Sequence, residues 1–215
     1  DVRDAVWTYF PMLSLKGLLV YVLRILFKIA AKKADLVCVT NSHEEKIIEA
    51  VAGVEVTLVS NGISLEKFNN FQSIKTKCMQ DRVNVTYVGN VGVAQELEVL
   101  IEFLKCYQKD IEVNIVGDGA MLSSLKLKAI NENMTNIIFH GAISPDRVAQ
   151  YMEKADILFA QIGKNFQSAI PTKVFEYIAA GRRVLLGLPE GAAKDTFQKF
   201  YGVEIFPVGQ VSCMK

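Results

Sequence analysis

From Val83 to Phe206 the chain repeats one rhythm. Six short apolar runs alternate with five segments of helical pattern. The runs are Val83–Gly89, Ile111–Gly117, Ile137–His140, Asp156–Gln161, Val184–Leu188 and Val203–Phe206. The helical segments between them are long enough to cross from one parallel strand to the next. Strands that are apolar throughout, rather than at every second position, are buried on both faces. Such a chain folds as an α/β protein with a parallel sheet covered by helices on both faces. Ligands of these sheets bind at the carboxyl ends of the strands. That edge is therefore where chemistry is expected.

Glycine turns end three of the strands: Gly89-Asn90-Val91-Gly92, Gly117-Asp118-Gly119 and Gly141-Ala142-Ile143. Glycine lets backbone turn tightly or approach a ligand closely. Gly89 and Gly92 are thus candidates to offer backbone amides to phosphate or sugar oxygens. Each turn has a plainer reading, since strand-to-helix turns commonly need glycine. Asp118 either accepts from a ligand hydroxyl or caps the next helix. His140 either approaches a base or is a structural histidine, and Ile143 offers a stacking wall.

The fourth expected strand leads into Phe166–Leu188. Here the small residues Ser168 and Ala169 precede a helix opened by Pro171, with Thr172, Lys173 and Glu176 in its first turns. Proline suits a first helical position because its missing N–H would be unpaired there anyway. Free amides at a helix start suit a phosphate, and Lys173 adds a full charge. Glu176, three residues on, shares a helix face with Lys173 and can accept from two hydroxyls. Together they suit a nucleotide held by its phosphates and its ribose.

The segment before Val83 differs in character. Leu13–Ala31 is strongly apolar but is interrupted by Lys16, Arg24 and Lys28, so no uncharged run is long enough for a membrane span. With Lys32 these cations fall near one helical face. The helix either packs in a core with a solvated edge or lies on an anionic membrane surface. A strand at Asp35–Thr40 and a helix near Ser42–Val51 follow. Ser42 is the expected cap, with Glu45 completing a capping box and His43 in solvent. A second strand is expected at Val54–Ser60, and the polar stretch Ser64–Arg82 reads as a linker.

The net charge of +1 argues against general nucleic-acid binding, which needs a basic field. Four scattered cysteines without a C-x-x-C pair suggest a reducing, cytoplasmic setting. No D-x-D pair offers a place for a metal bridging a diphosphate, so no metal is expected. The chain begins at Asp1 and reads as a piece of a longer protein.

The motifs ADLVCVTNSHEEKIIE, VTLVSNGISLEKF, YVGNVGVAQELEVLIE, IVGDGAMLSSLK, IIFHGAISPDRVAQYMEKADILFA and IPTKVFEYIAAGRRVL, in this order, resemble the retaining, nucleotide-sugar-dependent glycosyltransferases of the GT-B fold. This is the broad glycosyl transferases group 1 family. The likeness is greatest to its bacterial branch that assembles O-antigen, capsule and colanic-acid-type polysaccharides. The resemblance implies two Rossmann-like domains facing a cleft. It places residues 1–68 at the end of the acceptor-side domain, with the basic apolar helix at about 13–31. Residues 69–82 become a linker, and residues 83–215 a donor-binding domain. It implies that Glu176 binds the donor ribose, and that the Gly89, Asn90, Gly92 and Gln95 turn faces the diphosphate and sugar. His140, Gly141 and Ile143 would border the nucleobase. Ser168, Pro171, Thr172 and Lys173 would lie beside the sugar and phosphates. The donor would be a UDP-sugar, the acceptor a lipid-linked saccharide, and the setting the cytoplasm or the inner membrane face.

Two departures stand out. Ser168 occupies a position where many relatives carry glutamate. Asn90–Glu96 lacks the Arg and Lys that many relatives place after the first glycine turn. A hydrolysing UDP-GlcNAc 2-epimerase-like isomerase and a non-catalytic nucleotide-sugar-binding module are the alternatives that share this site.

Overall fold

The computed structural model describes residues 15–72, 82–107 and 110–210. Among the described residues there are two parallel sheets. The smaller pairs β1 (Cys38–Val39) with β2 (Thr57–Leu58), shorter than the strands expected there. Around it pack α1 (Leu15–Lys33) and α2 (Ser42–Ala52), with Val39, Ile48 and Ala52 forming a small core.

The cap of α2 lies one residue earlier than expected. Asn41, not Ser42, accepts from the N–H groups of His43 and Glu44. Glu44, not Glu45, reaches back to the Thr40 N–H and hydroxyl. The reciprocal logic of a capping box survives. The cap shifts because Asn41 is the last residue with extended backbone.

The larger sheet holds β3 (Val83–Val88), β4 (Ile111–Val116), β5 (Ile137–Gly141), β6 (Ile157–Gln161), β7 (Arg183–Leu188) and β8 (Val203–Pro207). All are parallel, in the order β5-β4-β3-β6-β7-β8. This is the α/β, Rossmann-like fold expected. Helices α4 (Glu98–Cys106) and α5 (Leu122–Asn131) cover one face, with Leu100, Leu104 and Leu125 on Val113 and Ile115. On the other face lie α6 (Pro145–Lys154), α7 (Lys173–Ala179) and α8 (Ala192–Phe197), with Met152, Val174 and Phe197 on Leu158 and Leu186.

Strand order reverses between β3 and β6, where a Rossmann-like sheet opens toward a ligand. The pairing there is brief: only Val85 with Ile157 and Thr86 with Leu158. Beyond Thr86 the strands part. Val88 would then have no ladder partner on the β6 side, and its N–H and C=O are buried. The Tyr177 hydroxyl supplies both bonds, accepting from Val88 N at 2.8 Å and donating to Val88 O at 2.9 Å. Burial pushes the Tyr177 phenol far above its ordinary pKa, so the donating proton is retained.

The stretch read as a linker is partly helical. α3 (Leu65–Gln72) runs past the expected boundary at residue 68 and sets Phe71 into the core of the larger sheet. The apolar side of a two-turn helix is hard to see among its polar neighbours. The remainder of that linker, residues 73–81, lies outside the described residues, as do residues 13 and 14 of the apolar N-terminal segment.

Tyr177→Phe should destabilise the fold by about 1–3 kcal/mol for each backbone group of Val88 left unpaired. Urea unfolding of the native and variant chains measures it.

Candidate functional site

The parting of β3 and β6 leaves a cavity of about 380 Å³. Val88, Gly89 and Asn90 line it from the β3 side; Gln95 contributes from the 3-10 turn Val93–Gln95. Ala160, Gln161 and Ile162 line it from β6, and Tyr177 lies at its base. The rim opposite Gly89 is Ile170, Pro171, Thr172 and Lys173.

The start of α7 is tighter than expected. Its first helical residue is Lys173, and Pro171 and Thr172 form the turn before it. Val174 N bonds Pro171 O and Phe175 N bonds Thr172 O, the closer spacing of a 3-10 entry. At seven residues, α7 brings little macrodipole. The positive character of this rim rests on Lys173 and on the local amides.

Next to this cavity is a smaller one, of about 190 Å³, between α3, the start of α6 and α7. Lys67, Phe71, Pro145 and Asp146 border it, with Lys173 and Glu176 on the far side. Lys173 lines both cavities and so stands at their junction. Its ammonium lies 2.7 Å from Glu176 Oε2, and the Lys67 ammonium lies 3.2 Å from Glu176 Oε1. Partial burial alone would raise the pKa of Glu176, but the two ammonium groups outweigh it and hold the carboxyl below its ordinary range. The site thus keeps an ionised carboxylate with one cation on each oxygen.

Gly92 and Gln95 close their own turn, with Gly92 N donating to Gln95 Oε1 at 3.1 Å. Gln161 Nε2 donates to Glu96 O at 2.9 Å. It thereby braces Glu96, whose φ of 43° places a non-glycine residue in the left-handed region. Gly117 fixes how the first two glycine turns nest. Its φ is +140°, and a side chain there would run into the Gly89 carbonyl.

Other expected site residues point elsewhere. The Asp118 side chain accepts from Gly119 N at 2.7 Å and does not cap α5, whose entry at Met121 has no side-chain cap. Gly141 takes part in the turn through its carbonyl, which accepts from Gly117 N. Ile143 packs beside the core under α6. His140 faces the sheet surface beneath α6: its Nε2 is 2.6 Å from Asn114 Oδ1 and its Nδ1 is 3.3 Å from the Tyr151 hydroxyl. There it lines a separate polar cavity of about 290 Å³ with Asn84, Thr86 and Asn114. Burial lowers its pKa, against an opposing pull from Glu112. Ser168 is buried, and its carbonyl accepts from Asn41 Nδ2 at 3.0 Å. That bond joins the smaller sheet's helix cap to the larger unit. His43, expected in solvent, makes a second tie, with Nε2 2.8 Å from Asp195 Oδ2.

Lys67, Gln161 and Tyr177 were not among the residues the sequence singled out. Lys67 sits in a stretch read as linker, and the other two look like ordinary strand and helix residues.

The sequence pattern of the glycosyl transferases group 1 family matches residues 82–196. This chain belongs to that family. It is similar to TuaH of Bacillus subtilis strain 168, which carries the name teichuronic acid biosynthesis glycosyltransferase. The two are 29% identical over 149 residues, covering 66% of this chain and 37% of TuaH. Among solved structures, Anabaena Alr3699/HepE in complex with UDP-glucose superposes with a TM-score of 0.73 at 14% identity, over 99% of this chain and 59% of that one. WaaG, a glycosyltransferase involved in lipopolysaccharide biosynthesis, gives a TM-score of 0.64 at 15% identity, over 82% of this chain and 50% of that one. These structures share the GT-B-type fold of the chain. The chain spans between a third and three fifths of these relatives' lengths.

Because its folded pKa lies below the unfolded one, Glu176 contributes stability above the unfolded carboxylate value and loses it as pH falls through the folded one. Below about pH 4, the native chain should therefore lose more stability than Glu176→Gln. Denaturant titrations at a series of acidic pH values check this.

Proposed function

We propose that this chain is the donor-binding part of a retaining glycosyltransferase that moves a sugar from a UDP-sugar to a lipid-linked oligosaccharide in bacterial surface polysaccharide assembly. One observation carries the reading. The Lys173–Glu176 pair stands at the junction of two adjoining cavities where strand order reverses, opposite the Gly89–Asn90 turn. The smaller cavity is the proposed nucleoside site, with the ribose hydroxyls on Glu176. The larger takes the diphosphate and sugar.

In this reading the departing UDP is stabilised by Lys173 and by amides near Gly89, Asn90 and Thr172, groups placed before charge develops. These groups meet the diphosphate charge without a metal ion. Retention follows if the sugar is attacked from the face the diphosphate leaves. The departing phosphate oxygen is then close enough to take the acceptor's proton. Asp118, His140 and Ile143 have no direct contact with the donor in this arrangement, and Gln95 and Gly92 act by shaping the first turn. HepE has been solved with UDP-glucose and TuaH is named for teichuronic acid biosynthesis; both names fit such a donor and such a product class.

Glu176→Ala should weaken UDP binding by about 10- to 100-fold, the worth of a charged hydrogen bond. Isothermal titration of correctly folded protein measures it, and unchanged affinity would refute the ribose role. The full-length enzyme should transfer sugar only when acceptor is present. Epimerisation of UDP-GlcNAc without acceptor would instead identify an isomerase.

The membrane face is proposed from α1. No helix among the described residues is long and apolar enough to cross a membrane. Yet Leu18, Leu19, Leu26 and Ile29 are all at least half exposed, while Val20 and Ala31, on the opposite side, are buried in the structure. Arg24, Lys28 and Lys32 run between these two sides. A helix of this kind rests on anionic lipid with its cations at the headgroups. Full-length protein should sediment with vesicles containing anionic lipid, less so as salt rises. Equal binding to neutral vesicles, or none to either, counts against this role.

A further inference from the structure

The polar cavity beneath α6 takes no part in the donor reading, and its floor is unusual. The sheet face under α6, α7 and α8 is apolar at Val88, Val116, Leu158 and Leu186. Earlier in the same strands it turns polar, with Asn84 and Thr86 on β3 and Asn114 on β4 all buried. Buried polar groups cost stability unless they are bonded, and these are bonded to one another in a single direction. A carboxylate only accepts, so Glu112 Oε1 fixes Asn114 Nδ2, 3.2 Å away, as a donor. Asn114 Oδ1 then faces His140 Nε2 at 2.6 Å, and that nitrogen carries the ring proton. His140 Nδ1 is left to accept from the Tyr151 hydroxyl at 3.3 Å. On the other side, Asn84 Oδ1 accepts from Thr86 Oγ1 at 2.7 Å and from Asn114 Nδ2 at 3.4 Å.

The network ends on a donor and an acceptor. Asn84 lines the cavity, and its Nδ2 has no partner among the described residues. Tyr151 lines it from α6, and its oxygen can still accept once its proton points to His140. Arg147 and Gln150 of α6 add donors, and Glu112 adds an acceptor. Every residue lining this cavity has a hydrogen-bonding side chain, so an apolar segment laid here would leave them unpaired. A simple anion would meet the donors but face the Glu112 carboxylate. Hydroxyl groups donate and accept and so suit both ends. The volume of about 290 Å³ lies at the small end of ligand sites and suits one sugar ring rather than a nucleotide. We propose that this cavity binds a single pyranose unit of a saccharide, with ring hydroxyls on Asn84 Nδ2, Glu112 and the Tyr151 oxygen. The position is separate from the donor cavity. Asn84 precedes Val88 by four residues on β3, about 13 Å along the strand. Among the described residues the two cavities share no lining residue. The proposal therefore stands apart from the donor reading.

The test titrates full-length protein with glucose, galactose, N-acetylglucosamine and glucuronic acid, and reads binding by saturation-transfer NMR. At least one of these sugars should bind in the millimolar range. Tyr151→Phe removes one hydroxyl from the wall and should weaken that binding by about 2- to 10-fold, the worth of one hydrogen bond. Asn84→Asp keeps the oxygen that Thr86 and Asn114 use and removes only the N–H groups. It should weaken the same sugar by at least as much, with folding checked by circular dichroism. Where Asn84→Asp does not fold, Tyr151→Phe decides alone. Binding of none of the sugars overturns the proposal. Sugar binding that folded Tyr151→Phe leaves unchanged lies elsewhere and overturns it too. Inorganic phosphate binding that Arg147→Ala abolishes, without binding of any sugar, identifies an anion site in its place.

Discussion

The Tyr177 hydroxyl gives one bond to Val88 and takes one from it, and the cavity depends on this exchange. Two neighbouring parallel strands cannot part inside a sheet without orphaning backbone groups, and a buried orphan is expensive. β3 and β6 pair for two residues and then diverge. A side chain from α7, itself fully buried, takes the place of the missing ladder. The opening at the strand-order reversal is therefore held in place as firmly as the rest of the core. The same helix that closes the gap with Tyr177 presents Glu176 and Lys173 to the cavities above it. One element thus sets both the width of the opening and the position of its charges.

The carboxylate at that junction poses its own problem. A partly buried charge needs partners, and Glu176 has them from its own helix and from α3. Ammonium groups and ribose hydroxyls are alike in one respect: both donate hydrogen bonds to carboxylate oxygens. Of the two cations, Lys67 on α3 is the more exposed. Lys173, on the same helix as the carboxylate, borders both cavities.

The larger sheet was legible in the sequence because each of its signals is local. Apolar runs, glycine turns and a proline before a helix all act within a few residues, and the strands fall close to where those signals place them. The grouping of Gly89, Asn90, Gln95, Pro171, Thr172 and Lys173 around one cavity follows from topology, since strand ends of a parallel sheet share an edge. What escaped were contacts between distant residues. Tyr177 bonds a strand 89 positions away, and Lys67 reaches Glu176 across 109. Neither pairing leaves a trace in local pattern. For His140 the sequence left a base-facing and a structural reading open. It sits at a strand end, but alternation along β5 turns its ring toward α6 and Asn114 rather than over the edge. The cap of α2 shifted by one residue because Asn41 and Ser42 both suit the role, and only backbone conformation separates them.

Ser168 shows how a departure from a family's pattern can be read from packing. The family resemblance leads one to expect glutamate at this position. Here the side chain is 4% exposed, and the residue's carbonyl holds Asn41, which itself caps α2. The backbone bond is available to any residue, so it does not by itself require serine. The burial weighs against a longer, charged side chain, which in a buried place needs a counter-charge. The charge at this cavity is carried by Lys173. At this point the chain joins its two sheets with a small, neutral residue and leaves the ionic work to α7.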